Sequence, residues 1–78
     1  MKITVQQLRY LLKVAETGSI SNAAKALNAA HGTISEAVNS VEKELGFEIF
    51  LRSKKGITPT ERGIEVLSGA RHVVESMD

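Results

Sequence analysis

The sequence predicts a mainly α-helical domain that contains one small β-hairpin. Apolar residues recur every three or four positions in four separate segments, and glycines or polar breaks separate those segments. The stretch after the third segment combines aromatic and branched residues with turn chemistry, which predicts two short strands. A chain of 78 residues forms one domain at most and buries a limited fraction of its surface. We therefore expect one shared core, and a gain in stability from a partner subunit.

The first two predicted helices are short and clearly bounded. Thr4 and Gln7 have the capping-box spacing, in which each side chain satisfies a backbone N–H group at the helix start, and Gly18 ends the first helix. Its apolar positions are Val5, Leu8, Leu11, Leu12 and Ala15. Ser19 or Ser21 caps the second helix, which ends at Leu27. Its small residues, Ala23 and Ala24, allow a neighbouring helix to approach closely.

A polar break over Asn28–Gly32 precedes the third predicted helix, which ends at Gly46. The apolar face of this helix consists of Ile34, Val38, Val41 and Leu45. Two starts fit the pattern. A capping box of Thr33 and Glu36 places the first turn late, whereas Ala30 or His31 gives an earlier start. We expect the earlier start, so that the helix covers about residues 31–45.

The hairpin is predicted from Phe47–Leu51, the turn residues Ser53–Gly56, and Ile57. The fourth helix is predicted to begin with Thr58 as its cap, Pro59 at the first helical position and Glu61 reaching back. It carries two apolar stripes, Val66, Ala70, Val73 and Met77 on one, and Ile64, Leu67 and Val74 on the other. Together they cover more arc than packing on one small core requires, so we expect one stripe to form a homodimer interface. The alternative is that both stripes pack within the chain.

Several classes of protein are disfavoured. The chain has no cysteine, and His31 and His72 are too far apart in sequence to form a local metal-ligand pair, so no metal or other cofactor is expected. No set of nucleophile, base and orienting residue and no phosphate-binding glycine loop is present, which disfavours an enzyme. No segment approaches the roughly 20 apolar residues of a membrane span, and no signal peptide is recognisable. We expect a cytoplasmic, soluble protein without membrane contact.

Charge is distributed unevenly, although the net charge is only +1. Between Arg52 and Arg62 there are four cations and one anion, whereas Glu36–Glu48 contains four glutamates and one lysine. Positive potential is therefore concentrated at the hairpin. Nucleic-acid binding is one explanation, and a merely solvated turn is the other.

This order of elements matches a winged helix-turn-helix, in which a three-helix core presents one helix to DNA and a hairpin, the wing, lies beside it. A major groove about 12 Å wide admits one α-helix, and a preceding helix braces it across the backbone. Here the helix over Ser21–Leu27 would brace, and the helix of about residues 31–45 would enter the groove. The basic wing over residues 52–56 would follow phosphates or enter a minor groove. We expect residues 1–58 to form this module and residues 59–78 to form a linker and dimerisation helix.

The segment from Gly18 to Gly63 resembles the DNA-binding domain of the LysR-type transcriptional regulators, and the match extends over nearly the whole chain. The matching positions are Ala23, Ala24, Leu27, Ser35, Val41, Glu42, Leu45, Gly46, Ile49, Phe50, Arg52, Thr58 and Gly63. The resemblance implies that the partner is double-stranded DNA. It implies that the fourth helix pairs with the same helix of a second copy, in a dimer or in a tetramer of the full-length regulator. It further implies that a larger C-terminal domain outside these residues binds a small-molecule inducer. It also implies that residues 31–39 contact DNA and that Arg52 is the wing arginine.

The predicted contact residues form two sets. The DNA-contacting set is Ser21, Asn22, His31, Gly32, Thr33, Ser35, Glu36, Asn39, Arg52, Lys54 and Lys55. The dimer set is Ile64, Val66, Leu67, Ala70, Val73, Val74 and Met77.

Two departures from the family pattern affect the target sequence. Most relatives have a Gln-Pro pair where this chain has His31 and Gly32, and Glu36 and Ala37 replace positions that Arg or Gln often fill. Glu36 either accepts a hydrogen bond from a cytosine amino group or faces solvent. His31 either donates to a base or phosphate, which would make binding pH-dependent, or only caps its helix. His72 is expected at the surface or at the dimer rim.

Two other functions fit the pattern. One is a helical protein-interaction module whose basic hairpin contacts an acidic partner. The other is a winged-helix regulator of a related kind, such as the molybdate-responsive regulators. A salt series separates the first from DNA binding, because affinity for many phosphates falls linearly with the logarithm of the salt concentration.

Overall fold

The computed structural model describes residues 2–77, and it contains four helices and one two-stranded antiparallel sheet. The elements in chain order are α1 (Val5–Thr17), α2 (Ile20–Leu27), α3 (His31–Leu45), β1 (Phe50–Ser53), β2 (Gly56–Pro59) and α4 (Glu61–Met77). The predicted mainly α fold with a hairpin is confirmed. The first residue of the predicted range 1–58, Met1, and the last residue of the predicted range 59–78, Asp78, lie outside the described residues. Among the described residues, no helix has the length and apolar character needed to cross a bilayer.

The boundaries of α1 agree with the sequence pattern. The Gln7 N–H group donates to Thr4 Oγ1 at 3.0 Å, and the Thr4 N–H group donates to Gln7 Oε1 at 2.9 Å. Gly18 ends the helix with a φ of 69°. Both predicted signals are therefore confirmed.

The corner between α2 and α3 is tighter than predicted. Ser19, not Ser21, caps α2, because its hydroxyl oxygen accepts a hydrogen bond from the Asn22 N–H group at 3.1 Å. Asn28 adopts the left-handed conformation, and α3 begins at His31, so the predicted break over Asn28–Gly32 is two residues too long. The earlier start of α3 is confirmed. The Thr33 N–H group already donates to the Ala30 carbonyl oxygen, so Thr33 lies inside the first turn and caps nothing.

The hairpin forms where it was predicted, with different ends. Phe50 pairs with Pro59 and Ser53 pairs with Gly56, which leaves Lys54 and Lys55 as a two-residue turn. The first strand thus begins three residues after Phe47, and both ends of the predicted Ser53–Gly56 turn belong to strands. Gly56 has a φ of 119°, a conformation that favours glycine.

The predicted start of α4 at Thr58 and Pro59 is wrong. Both residues belong to β2, where they pair with Leu51 and Phe50. A proline is tolerated at the end of an edge strand, because the ladder does not need its missing N–H group there. Thr60 caps α4 instead, since its Oγ1 accepts a hydrogen bond from the Gly63 N–H group at 2.8 Å and donates one to the Glu48 carbonyl oxygen at 2.7 Å. The helix therefore begins at Glu61, and no element boundary falls at the predicted division after residue 58.

One apolar core joins all the elements, and α1 lies at its centre. The core residues are Leu11, Val14, Ile20, Ala23, Ala24, Ile34, Val38, Val41, Ile49, Phe50 and Leu67. Helix α4 packs along α1, where Leu67, Ala70 and Val74 are buried. The sequence pattern predicts that one whole apolar stripe of the fourth helix is left for a partner. The helix instead packs residues of both stripes against its own domain. Packing the apolar side of α3 inward turns the polar side of this helix outward.

Candidate nucleic-acid interface

The polar side of α3 is a continuous exposed face. Its members among the predicted DNA-contacting residues, His31, Gly32, Thr33, Glu36 and Asn39, are exposed, and Ser35 is half-buried. The opposite side of the helix is buried in the core. A shallow groove runs along the outer face, called the α3 groove below, and is lined by His31, Gly32, Ser35, Glu36, Asn39, Ser40 and Lys43. The structure thus brings five of the six predicted α3 residues together, and Thr33 lies in an adjoining groove.

Helix α2 carries two further predicted residues, of which Ser21 lies beside His31. Ser21 and Asn22 are exposed in its first turn. Ser21 and His31 line one recess together with Arg52 and Ser53 of the hairpin. Residues of α2, α3 and β1 therefore meet around His31.

The wing carries three exposed cations, and one of them contacts α3. Arg52, Lys54 and Lys55 are exposed, and the turn that carries the lysines is braced by a hydrogen bond from the Lys55 N–H group to Ser53 Oγ at 3.2 Å. Arg52 Nη2 donates a hydrogen bond to Asn39 Oδ1 at 3.1 Å. The wing and α3 are thus directly connected through two predicted contact residues.

The position of the wing relative to α3 is set at both ends of the hairpin. Glu42 Oε2 accepts hydrogen bonds from the Ile49 N–H group at 2.8 Å and from the Phe50 N–H group at 3.2 Å, at the start of β1. The Ile57 N–H group of β2 donates to the Gly18 carbonyl oxygen at 3.0 Å. One strand is therefore held by α3 and the other by the corner between α1 and α2.

Four polar or charged groove-lining residues, and the apolar Ala37, were not in the predicted set. Ser40 and Lys43 extend the α3 groove, each four residues after a predicted member, so helical periodicity carried the signal for them. Gln7 and Tyr10 of α1 line the adjoining groove that contains Thr33. Their approach to α3 depends on packing between distant segments, for which no local sequence signal exists.

A separate groove, lined by both charged and apolar residues, lies between α1 and α4. Its lining residues are Arg9, Leu12, Lys13, Ala15, Glu16, Leu27, Arg71 and Val74, none of which lines the α3 groove. Lys13 Nζ donates a hydrogen bond to Glu16 Oε2 at 2.6 Å. This bond and the positive charges of Lys13 and Arg71 hold the pKa of the Glu16 carboxyl below its ordinary value of 4.5.

The burial of the predicted dimer residues does not follow the two predicted stripes. Leu67, Ala70 and Val74 are already covered by α1 within the chain. Val66 is half-buried against the core. The exposed apolar remainder is Ile64 at 60%, Val73 at 42% and Met77 at 65%. Val73 and Met77 are four residues apart and share a side of α4, whereas Ile64 precedes Val73 by nine residues, two and a half turns, and lies on the opposite side.

Within residues 2–77, no three or more His, Asp or Glu side chains are arranged to hold a metal ion. The candidate site is a surface of hydroxyl, amide, imidazole, guanidinium, ammonium and carboxylate groups, which are suited to hydrogen bonding and charge pairing.

Comparison with known proteins gives one consistent result. The model of the bacterial regulatory helix-turn-helix protein, lysR family, matches residues 5–64. The small neutral protease regulatory protein of Streptomyces coelicolor is 40% identical over 73 residues, which cover 94% of this chain and 23% of that protein. The nitrogen assimilation regulatory protein nac of Klebsiella aerogenes is 30% identical over 76 residues, which cover 97% of this chain and 25% of that protein. The chain thus spans about a quarter of the length of these curated relatives.

Solved structures agree with the sequence comparison. The CbnR_DBD–DNA complex is 34% identical with a TM-score of 0.90, and the match covers 95% of this chain and 85% of that one. The BenM_DBD/catB site 1 DNA complex is 27% identical with a TM-score of 0.92, and the match covers 96% and 84%. Oxidised OxyR of Corynebacterium glutamicum is 26% identical with a TM-score of 0.93, and the match covers 99% of this chain and 24% of that one.

Proposed function

The chain belongs to the lysR family of bacterial regulatory helix-turn-helix proteins, and on that premise we propose that it binds double-stranded DNA sequence-specifically as the DNA-binding domain of a transcriptional regulator. The observation that carries the proposal is the exposed polar face of α3 beside a wing that carries Arg52, Lys54 and Lys55. Two structures with the same fold, at 34% and 27% identity, are complexes with DNA.

Helix α3 is the element that enters the major groove in this proposal. Its N-terminal half contains no lysine or arginine, and the short side chains of Thr33 and Ser35 suit close approach to base edges. Thr33, Ser35, Glu36 and Asn39 are the candidates for base contact. Ser21, Asn22 and the helix amino termini are better suited to phosphate oxygens.

The wing is the phosphate-binding or minor-groove element. Lys54 and Lys55 form the tip of the hairpin, where their ammonium groups extend into solvent. Because each phosphate contact releases counterions, these lysines contribute affinity that is independent of sequence and sensitive to salt. The relatives are named as regulators, and we assign the chain a binding rather than a catalytic role. Its place of action would be the cytoplasm, where bacterial DNA lies.

A homodimer that pairs through α4 completes the proposal. Val66, Val73 and Met77 lie on one side of the helix, and Val66 makes this side continuous with the core. Two copies related by a two-fold axis would contact two half-sites of an inverted repeat. The centres of the half-sites are then about 34–36 Å apart, one turn of the duplex, or a multiple of that distance.

Fluorescence anisotropy over a salt series tests the proposal. We expect the chain to bind a random-sequence duplex weakly, and an inverted repeat enriched by the chain from a random library more tightly. Both affinities should fall linearly with the logarithm of the salt concentration, with a slope of about 0.9 per phosphate contacted. Lys54→Ala should weaken binding to both duplexes equally and reduce the slope by about 1.

Lys13→Gln is the matched control, since it removes one positive charge from the groove between α1 and α4 and none from the α3 groove. It should leave both affinities close to those of the parent chain. Absence of duplex binding even at low salt would contradict the proposal. Salt-sensitive binding to an acidic protein alone would favour the interaction-module alternative.

A further inference from the structure

Arg52 of the wing is hydrogen-bonded to the Asn39 amide of α3. The hydrogen bond from Arg52 Nη2 to Asn39 Oδ1 is 3.1 Å long. A guanidinium group carries only donors, so the Asn39 amide can join it only through its oxygen atom. The carbonyl oxygen of Asn39 therefore faces the wing, and its two Nδ2 hydrogens are directed away from Arg52.

The fold brings these two side chains together. Phe50 and Arg52 project from the same face of β1, because side chains alternate along a strand. Phe50 is buried in the core, so Arg52 leaves the strand on the side that faces the helices, whereas Leu51 between them is exposed. Glu42, three residues after Asn39 on α3, accepts the hydrogen bonds at the start of β1. The strand that carries Arg52 is thus attached to the helix that carries Asn39, within one turn of that residue.

We propose that Arg52 is a specificity-determining residue that acts through Asn39, in addition to any phosphate that it contacts. This inference rests on the proposed DNA-binding function. An asparagine that is free to rotate contacts adenine by accepting from N6 and donating to N7. Asn39, held by Arg52, presents its N–H donors to the groove and favours an acceptor there, namely guanine O6 or N7, adenine N7 or thymine O4. It disfavours cytosine, whose edge offers the N4 donor.

A phosphate contact alone makes a different prediction for the same arginine. Loss of a phosphate contact weakens binding by the same factor on every sequence, because phosphates carry no sequence information. Loss of an orienting residue changes the ratio of affinities between bases at one position. The remaining N–H groups of Arg52 stay available for a phosphate, so both effects are expected from one residue and must be measured separately.

The experiment uses duplexes enriched by the chain from a randomised library, followed by all single-base variants of the best site. In the parent chain, one base pair should show discrimination against cytosine that Asn39→Ala removes. Arg52→Ala should lower affinity for every duplex and also reduce the discrimination at that base pair about fivefold or more. Lys54→Ala, which removes one wing cation without contact to Asn39, should lower all affinities equally and leave the discrimination unchanged. In the Asn39→Ala background, Arg52→Ala should cause only the uniform loss.

The possible results distinguish a failure of this inference from a failure of the proposed function. If Arg52→Ala lowers all affinities equally and leaves every base preference intact, the inference is overturned and the proposed function stands. The same holds if its effect on base preference persists in the Asn39→Ala background. If the parent chain binds no duplex, both fall together. Arg52 and Asn39 are exposed, so the variants are expected to fold, and circular dichroism of each variant checks this.

Discussion

Gly63 in the first turn of α4 lies against the backbone that precedes β1. A Cβ atom placed there would come within 2.0 Å of the Ile49 carbonyl oxygen and 2.9 Å of Thr60 Oγ1. The first contact is with backbone, which cannot move aside without shifting β1 and the Thr60 cap. The absence of a side chain at Gly63 is therefore required for α4 to dock where it does.

Gly63→Ala should accordingly lower the free energy of unfolding by about 2–4 kcal/mol, since the clash forces a shift in a packed region. Urea denaturation followed by circular dichroism measures the change. Gly69→Ala is the matched control in the same helix, because nothing lies within 4 Å of a Cβ atom at that position. It should raise the free energy of unfolding by about 0.5–1 kcal/mol through a better helix propensity. Equal effects of the two substitutions would contradict the docking of α4 described above.

Among the elements, the attachment of β1 to α3 depends on one carboxylate. Glu42 is half-buried and accepts two backbone hydrogen bonds, from Ile49 and Phe50. Glu42→Ala should reduce the free energy of unfolding by about 1–3 kcal/mol, because it leaves two partly buried N–H groups without an acceptor. Thermal or urea denaturation gives the value.

Glu48→Ala is the control for this change. Glu48 is exposed in the segment between α3 and β1, and removal of its side chain should alter stability by less than about 0.5 kcal/mol. If Glu42→Ala proved equally mild, the wing would not depend on this carboxylate for its position.

The element boundaries show which interactions a sequence reveals. The Thr4–Gln7 capping box and the Gly18 stop act over three or four residues, so spacing alone predicted both ends of α1. The start of α4 was misjudged because Thr58 and Pro59 carry the same local signals as a helix start. Pairing with Leu51 and Phe50, seven and nine residues away, decides the outcome in favour of a strand. No local sequence pattern shows whether the helix start or the strand pairing is favoured.

The candidate site follows the same division. The polar face of α3 was predictable from helical periodicity, and the cations of the wing from composition. The bond between Arg52 and Asn39 spans 13 residues and depends on how β1 packs, so no spacing rule identifies it. The sequence did not predict which apolar residues of α4 are buried within the chain, because their burial is set by α1, which is distant in sequence.

At the scale of the whole molecule, we propose that the exposed apolar side of α4 forms the dimer interface. We expect Val73→Glu together with Met77→Glu to convert the proposed dimer into a monomer with unchanged helix content, because charged groups at the centre of an apolar interface are costly to bury. Sedimentation velocity over a range of concentrations measures the change. Ile64→Glu is the control, since this equally exposed apolar residue lies on the opposite side of the helix.

Dissociation by Ile64→Glu alone would place the interface on the opposite side of α4. A parent chain that stays monomeric at all concentrations would contradict the dimer.

Because Glu42 holds β1 and the Gly18 carbonyl holds β2, the distance between α3 and the Lys54–Lys55 turn is set before any duplex arrives. In the complex that we propose, a duplex whose grooves do not match that distance has to change its own curvature. Bending a short site costs about 1–6 kcal/mol and depends on sequence, since pyrimidine–purine steps kink easily and A-tracts are stiff. Sequence preference then extends to base pairs that no side chain touches. The ease with which a DNA site bends becomes part of what distinguishes one binding site from another.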